Sequence, residues 1–156
     1  MIKVFPVRRE TVLLSINQKQ LIEKFERYIK PVKTNCYKED SKEYLFNGLW
    51  NDNEFSVSLK LKIANNFIPI IHGKYMDSEE GIFIQLTYEL FPATKRLLLF
   101  WTVLTLLITA FFILLYQAWM YGAISFGFCL VNYVLSLENF KTQTRKSKRM
   151  LEKMLY

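Results

Sequence analysis

Residues 97–137 contain no charged side chain. A bilayer core of about 30 Å is crossed by roughly 20 helical residues, so this run is long enough for two passes. The alternative, a single bent or buried helical segment, would ask a 156-residue soluble chain to bury about 40 consecutive apolar residues, more core than it has. The middle of the run reads Gln117, Ala118, Trp119, Met120, Tyr121, Gly122. It holds a polar amide, two aromatics of the kind that settle at headgroup level, and a glycine. A turn is expected there. The reading is a transmembrane hairpin over 95–137, with helices at about 97–116 and 121–137.

Charge is distributed around that hairpin, not spread over a face. The chain carries 21 Lys and Arg against 14 Asp and Glu. Residues 1–94 are nearly balanced, at +1, and residues 95–156 hold the remaining +6. Lys95 and Arg96 precede the first apolar helix; Lys141, Arg145, Lys146, Lys148 and Arg149 follow the second. The turn has neither Lys nor Arg. Cytoplasmic flanks collect positive charge, so both termini are expected in the cytoplasm. The first residues lack the apolar core of a signal peptide, which agrees. An excess confined to membrane flanks implies anionic lipid headgroups as partners and not nucleic acid. Cys36, in a polar connector on the reducing side, and Cys129, inside the second helix, are not expected to form a disulfide.

Residues 1–94 read as a cytoplasmic α+β domain. With 51% hydrophobic and 16% aromatic residues in the chain, disorder is excluded as its overall state. Thr11 to Leu14 suggests a short strand. Ser15 and Gln18 offer a capping box for a helix whose apolar face is Leu21, Ile22, Phe25, Tyr28 and Ile29, and Pro31 ends it. Residues 32–42 form a polar loop. The period then becomes two: a strand at 44–50 with Gly48 inside it, a second carrying Phe55, Val57, Leu59, Leu61 and Ile63, a third over 67–75 with Pro69 suggesting an edge or a bulge, and a fourth carrying Ile82, Ile84, Leu86, Tyr88 and Leu90. Connectors this short imply an antiparallel meander. The expected fold is therefore an antiparallel four-stranded sheet with a packed helix, followed by the hairpin and a basic amphipathic helix over 138–156. That tail either docks on the domain through Phe140, Ser147, Met150, Leu151, Met154 and Leu155, or lies on lipid.

Catalytic constellations are hard to assemble from these residues. His72 is the single histidine, and neither a Cys pair nor a second His accompanies it, so the common zinc sites are out of reach. No metal, cofactor or catalytic residue is assigned. Glu39, Asp40 and Glu43, and likewise Asp77, Glu79 and Glu80, read as solvated loop charge. Lys60 and Lys62 read as the wet face of a strand. Ion pathways through membranes use ionisable residues, and the apolar run has none.

Within the hairpin, Thr102, Thr105 and Thr109 share one helix face, as do Gly122, Ser125, Cys129, Asn132 and Ser136. Small, weakly polar residues allow close helix approach in lipid. In a hairpin, partners at equal depth have a constant sum of residue numbers. Thr109 with Ser125, Thr105 with Cys129, and Thr102 with Asn132 satisfy that condition. The other reading is that these hydroxyls bond only their own helix backbones.

Asn65, Phe67, Pro69, Ile71 and Gly73, ahead of two apolar helices and a basic tail, carry a resemblance. The chain resembles uncharacterised small bacterial two-pass membrane proteins with an N-x-F-x-P-x-(I/V)-x-G-like stretch. The resemblance implies a bacterial inner-membrane setting and no particular activity. Two functions follow as expectations. One is a non-enzymatic inner-membrane protein presenting a cytoplasmic interaction domain to a protein partner or to headgroups. The other is a small homo-oligomerising effector or sensor acting on the bilayer.

Overall fold

The computed structural model describes residues 5–31, 44–51, 53–61, 65–79 and 81–156. The connector with Cys36, Glu39, Asp40 and Glu43 lies outside the described residues, as do Lys62, Ile63 and Glu80. In chain order the elements are β1 (Val7–Leu14), α1 (Gln18–Tyr28), β2 (Ile29–Pro31), β3 (Phe46–Trp50), β4 (Glu54–Leu59), β5 (Pro69–Ser78), β6 (Gly81–Leu90), α2 (Pro92–Leu114) and α3 (Trp119–Leu155).

The sheet corrects the sequence expectation. It has six strands in the order β1-β6-β5-β4-β3-β2, not four, and it is mixed. β3 to β6 form the antiparallel meander; β1 adds antiparallel to β6 across Val7↔Glu89 to Leu14↔Ile82. β2 pairs parallel with β3 through Ile29↔Phe46. Ile29 continues the four-residue step of Leu21 and Phe25, which is why periodicity alone places it on the helix. The backbone instead leaves the helix after Tyr28, and Ile29 reaches the same core as a strand residue, fully buried. Pro31 lacks an N–H and stands in the edge strand, where a missing donor is tolerated. Pro69 opens β5, which lies between β4 and β6 and is not at an edge; the first position of a strand tolerates proline equally well.

α1 is capped two residues later than Ser15 and Gln18 suggest. Asn17 Oδ1 accepts from Gln20 N–H at 2.9 Å, and Gln20 Oε1 accepts from Asn17 N–H at 3.1 Å. The reciprocal pair satisfies two of the donors a helix start leaves open. Leu21 and Phe25 then drop into the core.

Strict alternation decides the layers. Ile82, Ile84, Leu86, Tyr88 and Leu90 are buried while the residues between them are exposed or half-buried. The same holds for Phe55, Val57 and Leu59 on β4. The buried face is covered by α1 and by the C-terminal part of α3, whose Phe140, Leu151, Met154 and Leu155 join the core cluster. Of the two placements open to the tail, this structure has it on the sheet. No break separates it from the apolar segment: α3 is one helix of 37 residues, about 55 Å long at 1.5 Å per residue.

α2 and the first half of α3 form an antiparallel pair of helices long and apolar enough to cross a membrane. Residues 115–118 connect them, and Gln117 takes a left-handed φ of 50° that reverses the chain. Tyr116, Trp119, Met120 and Tyr121 are exposed at this tip.

Candidate functional site

The hairpin is built inside out by the standards of a soluble protein. Only 11% of each apolar window is buried within the molecule. The buried positions are Thr94, Thr105 and Thr109 on α2 and Gly122, Cys129 and Ser136 on the membrane half of α3. Large side chains such as Phe100, Leu107, Leu114, Ile124 and Phe128 face outward. Small residues inside and apolar ones outside is what a lipid solvent selects, because hydrophobicity supplies no drive between helices there.

Hydrogen bonds tie the two helices at one level. Thr109 Oγ1 lies 3.0 Å from Ser125 Oγ, and Ser125 donates to the Thr105 carbonyl at 3.3 Å. Thr109 also lies 2.9 Å from the Thr105 carbonyl, so the cluster closes across the pair. The structure brings Thr109 and Ser125 into direct contact. Thr105 and Cys129 are both buried, and Thr102 and Asn132 half-buried, but no hydrogen bond joins either pair. Thr102 and Thr105 donate back to the Leu98 and Trp101 carbonyls, each at 2.8 Å, and Ser136 donates to Asn132. Both arrangements of these hydroxyls therefore occur, and Thr109 takes part in each. Gly122 permits the close approach near the tip: a Cβ there would stand 2.5 Å from Ile113 Cγ1.

Beyond the apolar segment, α3 meets the first strand through its side chains. Tyr88 Oη donates to Glu10 Oε1 at 2.6 Å, and Lys148 Nζ donates to Glu10 Oε2 at 2.6 Å. Arg8 Nη2 stands 3.8 Å from the same carboxylate. Burial alone would raise the Glu10 carboxyl. The hydrogen bonds from Lys148 and Tyr88, with the charges of Lys148 and Arg8, outweigh it and hold the group below its ordinary value. Tyr88 is pushed up, first by burial and then by the adjacent carboxylate. The cluster is thus an ion pair with a neutral phenol, joining β1, β6 and α3. A strand beginning at Thr11 leaves Arg8 and Glu10 unassigned. Their two-residue steps from Val12 and Leu14 were the available signal for polar groups on a covered face.

The basic flanks divide into two sets. Lys95 pairs with Glu89 at 2.8 Å, and Lys148 is held by Glu10. Lys141 pairs with Glu138 at 2.6 Å, both more than half exposed. Arg96, Arg145, Lys146 and Arg149 are exposed and form no salt bridge among the described residues, although the charge of Arg145 helps to lower the Glu138 carboxyl after the larger effect of Lys141. The start of α2 is pinned to the sheet as well, since Thr94 Oγ1 donates to the Asn66 carbonyl at 2.7 Å.

His72 sits on the uncovered face of β5, in register with Ser56 and Thr87, and no hydrogen bond joins it to either. No cluster of three His, Cys, Asp or Glu suited to a metal ion occurs among the described residues. Comparisons with protein-family profiles, curated proteins and solved structures give no match.

Proposed function

We propose that this chain is a non-enzymatic integral membrane protein whose hairpin holds a small interaction domain directly against the cytoplasmic leaflet of a bacterial inner membrane. One observation carries the membrane part of this reading: the inverted packing of α2 against α3, small and hydroxyl-bearing inside, aromatic and aliphatic outside. Exposed in water, such a surface would far exceed the apolar patches that soluble proteins present. The charge asymmetry supports the orientation, with unpaired basic residues at the two membrane-proximal ends and none in the turn. The short Phe91 junction between β6 and α2 supports the close attachment. The competing reading, an oligomerising effector, needs a free polar helix face. Thr105, Thr109 and Ser125 are instead engaged within one chain.

The test uses the native thiols. Cys129 is buried in the hairpin, so a membrane-impermeant maleimide reports on Cys36. Labelling in inverted vesicles and none in intact spheroplasts is expected. Labelling from outside overturns the orientation. Release of the protein from membranes by alkaline carbonate overturns membrane insertion itself.

A further inference from the structure

We propose a binding site for an anionic phospholipid headgroup in the cavity between the start of β1 and α3, where Arg8, Lys141 and Arg145 face one phosphate beside Thr144. The inference rests on the membrane reading above. The cavity measures about 320 Å³, within the size range of sites that take small ligands. Pro6, Val7 and Phe140 supply its apolar lining; Arg8, Lys141, Arg145 and Thr144 supply its polar atoms. Three cations and no carboxylate line it. Glu138 takes up part of Lys141 from outside the cavity, and Glu10 reaches Arg8 only at 3.8 Å. Arg145 forms no salt bridge among the described residues and acts on Glu138, outside the cavity, only through its charge.

Thr144 is the independent sign of a missing ligand. It is 98% buried, and its hydroxyl has no hydrogen-bond partner among the described residues. A helical threonine ordinarily returns its hydroxyl to the carbonyl four residues back, as Thr102, Thr105 and Thr109 do here. A buried unmatched hydroxyl is costly, and the one lining this cavity can donate to a phosphate oxygen.

Depth selects the source of the phosphate. The uncharged run ends at Leu137, and Phe140 to Arg145 lie about 5–12 Å further along the axis of α3 at 1.5 Å per residue. The headgroup layer beyond each side of the hydrocarbon core is about 5–8 Å thick, so the two intervals overlap. β1 arrives at the same level independently, because Val7 pairs with Glu89 at the end of β6 that feeds α2. An amphiphile suits the lining: phosphate toward Arg8 and Arg145, glycerol and upper acyl carbons against Val7 and Phe140. Free phosphate would leave that apolar wall unused.

The experiment compares full-length protein, R8A/R145A and the charge-matched K146A/R149A, whose altered side chains are exposed and do not line the cavity. Each is purified in mild detergent and given equal amounts of phosphatidylglycerol and phosphatidylcholine, and bound lipid is counted by native mass spectrometry. Unaltered protein and K146A/R149A are expected to retain phosphatidylglycerol preferentially. R8A/R145A should lose that preference, by about fivefold for each charge removed near a phosphate. The site is overturned if R8A/R145A behaves as the unaltered chain, if K146A/R149A loses as much, or if phosphatidylcholine is retained equally. Full displacement by excess inorganic phosphate overturns the lipid as the ligand. Flotation with phosphatidylcholine vesicles reads membrane insertion separately. A chain that does not float overturns the membrane reading; a chain that floats without the headgroup preference overturns only the site.

Discussion

Exchanging Glu10 for Gln leaves Lys148 and Tyr88 as donors facing a group that no longer carries charge. A hydrogen-bonded, partly buried ion pair loses about 2 kcal/mol in such a change, so E10Q should lower domain stability by about that much in chemical denaturation. Its pH profile is a sharper check. Because the folded state holds the Glu10 carboxyl below its value of 4.5 in the unfolded chain, its contribution is complete above that pH. It disappears as pH falls through the lowered folded value. E10Q should flatten that acid limb while leaving the neutral plateau parallel. Ser147 points the other way. It is 99% buried with an unmatched hydroxyl and does not line the headgroup cavity, so S147A should raise stability by roughly 1 kcal/mol. At this scale the sequence was only partly legible. Lys148 sits in a run of basic residues and reads as one more membrane flank. It is 11 residues beyond Leu137, about 16 Å along a helix, which carries it well past the apolar run to a carboxylate 138 positions earlier in the chain. No local pattern encodes that partner.

Among the elements, α3 has the clearest consequences. Its C-terminal turns are core, so L151A should cost about 3 kcal/mol, the range for emptying a fully buried leucine site, as measured by thermal unfolding of the solubilised protein. In the apolar hairpin, Thr105 and Cys129 are buried on facing helices. In a C36S background, T105C should cross-link to Cys129 within one chain under mild oxidation. A disulfide-linked dimer as main product would show that these faces meet between subunits. The alternation of β4 and β6 and the face of α1 were readable because period-two and period-3.6 patterns map directly onto one covered side. The continuity of α3 was obscured by the change from apolar to charged residues at Glu138, which changes the surface of the helix and not its backbone. The relevant signal is that neither Gly nor Pro occurs after Gly127, so nothing interrupts the helix.

For the whole molecule, the six-stranded sheet was illegible where it is non-local. β1 and β6 join residues about 75 positions apart, and β2 contributes three residues whose spacing also fits a helix. The pair of long apolar helices, by contrast, follows from the uncharged run alone. One added residue between Glu138 and Phe140 would advance the distal part of α3 by about 1.5 Å and turn it by about 100°. Phe140, Leu151 and Met154 would leave the sheet, and protease resistance of residues 1–94 should fall sharply. The chain traces a closed circuit: out of the sheet through β6 and Pro92, up α2, over the tip, down α3, and back onto the same sheet. A circuit with no slack at either footing behaves as a truss. On the proposed membrane reading, a tilt of the hairpin imposed by bilayer thickness or tension meets no long linker and should appear as shear between α3 and the sheet face it covers at β4 and β5. The ion pair from Lys148 to Glu10 ties α3 to the first strand as well, so on the proposed reading tilt of the hairpin and the order of β1 should vary together.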